Sequence, residues 1–230
     1  MSRGDVPADV AAIRAEIAKL LNTTCANGRR VGSALCGVYA FYDYDNEPIY
    51  VGQTTEALQV RIQRHLTNQR TDAVAMNVLD PFEVAYIKMW PFFDMGKKDP
   101  GTKEWLDRAE YTVYQAALKE SRFQAVLNEG VIAKRPVIEL PACISGRIIP
   151  ASIFEQRKHP DIRIARRSST IAALARVISE RAVSPGLRMT LLTQAKRLEH
   201  LANLRQDQVA KEKPSAAKRA ASDPGADVEE

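Results

Sequence analysis

The chain has 230 residues, 45% of them hydrophobic and 27% charged, enough for one well-formed core and a small appended unit. A formal net charge of +5 with a pI near 9.1 is only mildly basic. The absence of a long apolar run, and of a basic-then-apolar start in MSRGDVPADV, argues against a membrane protein or a secretory leader, so a cytoplasmic protein is expected.

Cys25, Cys36 and Cys143 are odd in number and too scattered for a disulfide framework or a CxxC-type zinc site. The histidines His65, His159 and His200 lack metalloprotease spacing, so any metal is expected to be held mostly by oxygen. Charge is unevenly spread: residues 146–205 hold 12 Lys and Arg against 4 acids, whereas residues 1–145 hold 17 against 18. A basic block of that kind fits contact with a polyanion, and equally an ordinary solvated surface.

In chain order, Val10, Ile13, Ile17, Leu20 and Leu21 recur at helical spacing and predict an amphipathic helix over 8–21. TTCANGRR (23–30) reads as a loop. Two short strand-like runs, GVYAFY from Gly37 and PIYVG from Pro48, flank a polar Asp-Tyr-Asp-Asn-Glu turn and predict a hairpin. Tyr39 and Tyr50 each lie near a strand glycine, where the missing side chain permits a close approach. The next helix has Thr54 or Thr55 as candidate N-cap and Leu58, Ile62 and Leu66 as its buried stripe; Arg61 and His65, four apart, project from one flank. Arg70 follows in a polar stretch and is a candidate contact to a phosphate backbone.

FEVAYIKMW (82–90) predicts a third strand, and a Pro- and Gly-rich loop leads to a helix from Thr102 or Lys103 to Lys119. Its stripe is expected to be Trp105, Leu106, Ala109, Val113, Ala116 and Ala117, with Glu110 at the border and Glu104 and Asp107 further toward solvent. Asn128 stands at a helix end or turn. Residues 131–160 are punctuated by proline and hold one or two short strands, around Val137–Leu140 and Arg147–Ile149. Two helices follow, 162–181 and 185 to about 210, separated by Ser-Pro-Gly; Arg163, Arg166 and Arg167 on the first are candidate DNA contacts, or else the solvated face of a packing hairpin. The last stretch, low in apolar bulk, is expected to be a disordered tail.

The ordered series of GVY (37–39), YVG (50–52) and Arg61-x-x-x-His65 resembles the GIY-YIG nuclease family, with valine for isoleucine in both signatures. The resemblance implies an α+β fold: a small three-stranded antiparallel sheet flanked by helices, with a C-terminal helical hairpin and disordered tail. It divides the chain into an N-terminal helix and loop (1–30), a nuclease-like domain (31–140), a basic, mostly helical appendage (141–210) and the tail (211–230).

The resemblance also implies a divalent-metal-dependent DNA endonuclease. Glu110 would bind one Mg²⁺ or Mn²⁺ ion, Arg61 would clamp the phosphate, Tyr39 and Tyr50 would position or activate the attacking water, and Asn128 would order the site. A phenol with an ordinary pKa near 10 is a poor base at neutral pH, so His65 is the chemically easier proton acceptor, and both assignments stay open. The partner would be DNA, and cutting both strands with one site per chain points to a homodimer or successive nicking. Restriction, phage defence and repair are all compatible with this chemistry. A non-cleaving nucleic-acid-binding module on the same scaffold is the alternative.

Overall fold

The computed structural model describes residues 6–66, 80–128, 130 and 132–220, with 212–220 described for the backbone alone. Strands β1 (Cys36–Tyr42) and β2 (Pro48–Thr54) form the expected hairpin, and β3 (Tyr86–Phe92) and β4 (Ile144–Arg147) extend it into an antiparallel sheet of order β2-β1-β3-β4. The sheet therefore has four strands and not three. The fourth is only Ile-Ser-Gly-Arg, too short for an alternating pattern to stand out. Val137–Leu140, an expected strand, is instead an extended segment laid along a helix, with Ile138 N–H donating to Thr112 Oγ1 at 3.0 Å.

All seven residues of β1 are buried, because each face of the sheet is covered by a different layer. Cys36, Val38, Ala40 and Tyr42 face α3 (Thr102–Glu120) and pack with its Leu106, Ala109, Val113 and Ala117. Tyr39 and Phe41 point the other way, into a core shared with α1 (Ala8–Leu21) and α2 (Leu58–Leu66). On α3, Trp105 was expected in the buried stripe but stands 36% exposed, at the edge of the apolar face. Asp107 shows the reverse correction: its side chain is only 20% exposed.

The C-terminal region belongs to this same core. Beyond the short α4 (Ala151–Lys158), helices α5 (Pro160–Glu180) and α6 (Pro185–Ala220) form the expected hairpin, and Phe154, Leu174, Val177 and Leu187 pack in the cluster that holds Tyr39 and Phe41. A boundary at residue 140 thus falls between two parts of one sheet and one core. The helix also continues to Ala220, through the first half of the stretch expected to be a disordered tail.

What locks the hairpin on is charge. The Asp43–Glu47 turn carries three acids, and Glu83 lies nearby on the short turn before β3. Arg163 pairs with Asp45 at 2.6 Å, Asp43 at 2.9 Å and Glu83 at 3.5 Å, and Arg167 pairs with Asp43 at 2.9 Å and Glu83 at 3.1 Å. Both arginines are buried, which corrects the expectation that they face DNA: their forks are spent on carboxylates inside the protein. Arg166 lies over the Phe82 ring and donates to the Phe82 carbonyl at 3.3 Å. Arg70 lies outside the described residues. A third buried fork, Arg197 on α6, donates to Pro48 O at 2.7 Å and Ala125 O at 3.1 Å, and burial together with neighbouring Arg167 lowers its pKa to about 10.

Candidate active site

Register places the two tyrosines on one face. Tyr39 on β1 pairs with Gly52, and Phe41 with Tyr50, so both phenol rings point toward α2, the Tyr39 and Tyr50 centroids 6.2 Å apart. The glycine of the second signature is what permits this. A Cβ built on Gly52 would stand 2.7 Å from the Tyr39 hydroxyl oxygen and 2.8 Å from Tyr50 Cε1, so any larger residue there displaces a ring. The first glycine admits the helix instead, since a Cβ on Gly37 would meet Leu58 of α2 at 2.9 Å.

With α2 held that close, Arg61 and His65 come down on the tyrosines. Arg61 Nε donates to the Tyr39 hydroxyl oxygen at 3.1 Å, and His65 Nε2 lies 2.8 Å from the same oxygen. A guanidinium can only donate, so the phenol accepts from Arg61, and the same oxygen shares a hydrogen bond with His65 Nε2. Arg61 also interacts with Tyr50. Tyr39 is fully buried, and burial pushes its pKa far above the usual phenol value despite the adjacent guanidinium. Tyr50 and Arg61 are partly exposed, so they form the solvent-facing side of the group.

Glu110 reaches the same strand from α3. Gln53, the residue after Gly52, points to the α3 face, and its amide nitrogen donates to Asp107 at 2.7 Å and to Glu110 at 3.1 Å. The Gln53 backbone N–H also donates to Glu110. Burial, reinforced by the Asp107 charge, raises Glu110 to about 7 against the opposing Arg61 charge, and the Glu110 charge in turn helps to raise Tyr39. Two carboxylates thus share one amide, Asp107 also pairing with Lys103 at 3.2 Å, and the partly desolvated Glu110 oxygens are donors of the kind a divalent cation takes. Among the described residues no group of three or more His, Cys, Asp and Glu side chains could cage a metal, so an ion here would keep water and substrate oxygens as most of its ligands.

Asn128 is placed differently from the other candidates. Its amide brackets one residue of the edge strand, Oδ1 accepting from Val51 N–H at 3.2 Å and Nδ2 donating to Val51 O at 2.7 Å. It therefore holds the strand between Tyr50 and Gly52 and does not enter the cluster itself. Thr190 of α6 in turn donates to Asn128 O at 3.3 Å. Gln53 went unnoticed in the sequence, and Asp107 was set toward solvent and not beside Glu110. The available signals were the alternation that turns Gln53 away from Tyr50, and the three-residue spacing that puts Asp107 beside Glu110 on α3.

Residues 35–100 match the family model described as the GIY-YIG catalytic domain. The chain carries a GIY-YIG domain. Neither a curated protein nor a solved structure matches the chain. Tyr39, Tyr50, Arg61 and His65 fall inside the GIY-YIG match, and Glu110 and Asn128 lie beyond its end. The domain indicates a nuclease-type family, and its sheet is completed by β4, well past the matched span.

Proposed function

We propose that this protein is a divalent-metal-dependent endonuclease that hydrolyses phosphodiester bonds in DNA. The observation that carries the proposal is the joint placement of the Tyr39 oxygen between Arg61 Nε and His65 Nε2, with Glu110 held through Gln53 on the neighbouring strand β2. In this reading Arg61 turns its fork from the phenol to a non-bridging phosphate oxygen as substrate arrives, which uncovers the Tyr39 oxygen. A water there gives its proton to that oxygen as the phenol passes its own to His65 Nε2, so the net acceptor is the imidazole and neither tyrosine needs a depressed pKa. Tyr50, the more exposed phenol, orients the phosphate or the water. Glu110 would hold the ion, whose contribution when bound is to neutralise charge developing on the phosphoryl oxygens. Asn128 keeps the tyrosine-bearing strand in place. Cleavage of both strands then takes a homodimer or two successive nicks.

The complete burial of Tyr39 favours a second reading, a nucleic-acid-binding module that does not cut. Incubating the purified protein with plasmid, linear duplex and single-stranded DNA, in Mg²⁺ or in EDTA, beside Glu110→Ala and Arg61→Ala, separates the two. Metal-dependent cutting lost in both variants supports the enzyme; binding without cutting supports the module; equal cutting by all three proteins points to a contaminant.

A further inference from the structure

The family resemblance assigns one carboxylate to the ion, and α3 supplies two. Asp107 precedes Glu110 by three residues, so the two side chains leave one flank of the helix. They converge on a single atom: Gln53 Nε2 donates to Asp107 Oδ1 at 2.7 Å and to Glu110 Oε2 at 3.1 Å. That amide is uncharged, and it stands where two anions meet. Despite some desolvation, the bonds from Gln53 and Lys103 hold Asp107 below the ordinary carboxylate value, so it carries its charge beside Glu110. The charges of Arg135 at Asp107 and of Arg61 at Glu110 are felt from further off. The one cation in contact is Lys103, which reaches Asp107 Oδ2 at 3.2 Å from a side chain 88% exposed, among the described residues. An exposed pair four residues apart on a helix is weak and readily exchanged. A Mg²⁺-sized ion sits about 2.1 Å from carboxylate oxygens, so oxygens that already meet at one nitrogen close on it by about an ångström or less once the amide turns aside.

We infer that Asp107 is a second protein ligand of the divalent ion beside Glu110, and that Lys103 is the tethered cation which the ion displaces from it. The inference rests on the reading of Glu110 as the ion-binding residue and adds to it a second charge and a built-in competitor. Oxygen sites bind divalent ions more tightly as their count of charged ligands rises, so the two additions pull in opposite directions. Asp107 strengthens the site and Lys103 weakens it, and the weakening acts through Asp107 alone.

The test measures Mn²⁺ binding to the full chain without DNA, by loss of the free ion's electron spin resonance signal, at about pH 8 so that Glu110 is ionised. Asp107→Asn keeps an oxygen for Gln53 but removes the charge, and should bind Mn²⁺ about ten- to a hundred-fold more weakly. Lys103→Ala should bind about two- to five-fold more tightly, the worth of an exposed ion pair, and should have no effect once Asp107 is replaced by asparagine. Direct ligation is read from Asp107→Cys. A thiolate in the site should draw Cd²⁺ in preference to Mn²⁺ and add an ultraviolet sulfur-to-cadmium band over that of the parent, whose own three cysteines serve as the blank. Unaltered Mn²⁺ affinity in Asp107→Asn, no added band in Asp107→Cys, or a Lys103→Ala effect that persists without Asp107 overturns the inference. If Glu110→Gln alone loses the ion, the reading of Glu110 survives that failure; if Glu110→Gln binds as the parent does, both fall.

Discussion

Arginine does two different jobs in this molecule, and the contrast between Arg61 and Arg163 separates them. Arg61 is partly exposed and rests on the phenols of Tyr39 and Tyr50, with no carboxylate among the described residues in hydrogen-bond contact. Arg163 is 2% exposed and surrounded by Asp43, Asp45 and Glu83, which hold it protonated against the opposing effect of burial. The first fork is available to a ligand and the second is part of the frame. A cation meant to meet a substrate should be partnered weakly, and one partnered strongly by buried carboxylates is already engaged.

The sharpest break of this contrast is a pair of truncations. Arg61→Ala should lower DNA cleavage on the order of a hundred- to a thousand-fold while leaving the melting temperature within a degree or two of the parent, since it removes charge stabilisation at the reacting phosphate. Arg163→Ala should instead cost about 3–5 kcal/mol of stability by leaving two buried carboxylates, Asp43 and Glu83, to share Arg167 alone, seen as a melting temperature about 10 °C lower. Loss of stability in the first variant, or retention in the second, would show that the two sites are not divided in this way.

A smaller effect is expected at the second signature. Gly52→Ala should cost about 1–3 kcal/mol and depress cleavage as well, because the added methyl meets the Tyr39 oxygen and the Tyr50 ring, and a thermal melt beside an activity assay reports both. Asn128→Ala should cost about 1–3 kcal/mol by leaving the Val51 N–H and C=O unpartnered, measurable by urea denaturation.

The mildest test uses pH. Glu110 is raised from 4.5 to about 7 by folding, so the native state binds the extra proton and the metal-free protein should lose stability as pH rises from about 4.5 to about 7. Glu110→Gln should remove that slope. Divalent-ion affinity should move the opposite way, increasing over the same window as the carboxylate ionises.

The tyrosines, Arg61 and His65 were legible in the sequence because their geometry is local: alternation along two hairpin strands and four-residue spacing on the following helix fix which side chains share a face. The same periodicity marked Arg163 and Arg167 as polar positions on α5 but carried no information about what lies opposite. Their partners, Asp43 and Glu83, lie 120 and 80 residues from Arg163 and come together only through the sheet and the packing of the hairpin. Trp105 was misplaced for a related reason, since a residue at the margin of a helical stripe is buried or exposed according to how far the neighbouring layer extends. A short strand was expected around Arg147–Ile149 but not as part of the sheet, because what makes Ile144–Arg147 a strand is its pairing with β3, and not its own four residues.

The outer side of β2 has a consequence for behaviour at high concentration. Four of its main-chain groups are engaged: Ile49 O by Leu127 N–H, both groups of Val51 by the Asn128 amide, and Gln53 N–H by Glu110. A border strand with open amides recruits strands from other chains, and here the middle of that border is covered by the Asn128 amide. Losing Asn128 should therefore do more than loosen the fold: it should expose a template for intermolecular β-pairing and make the protein prone to concentration-dependent aggregation.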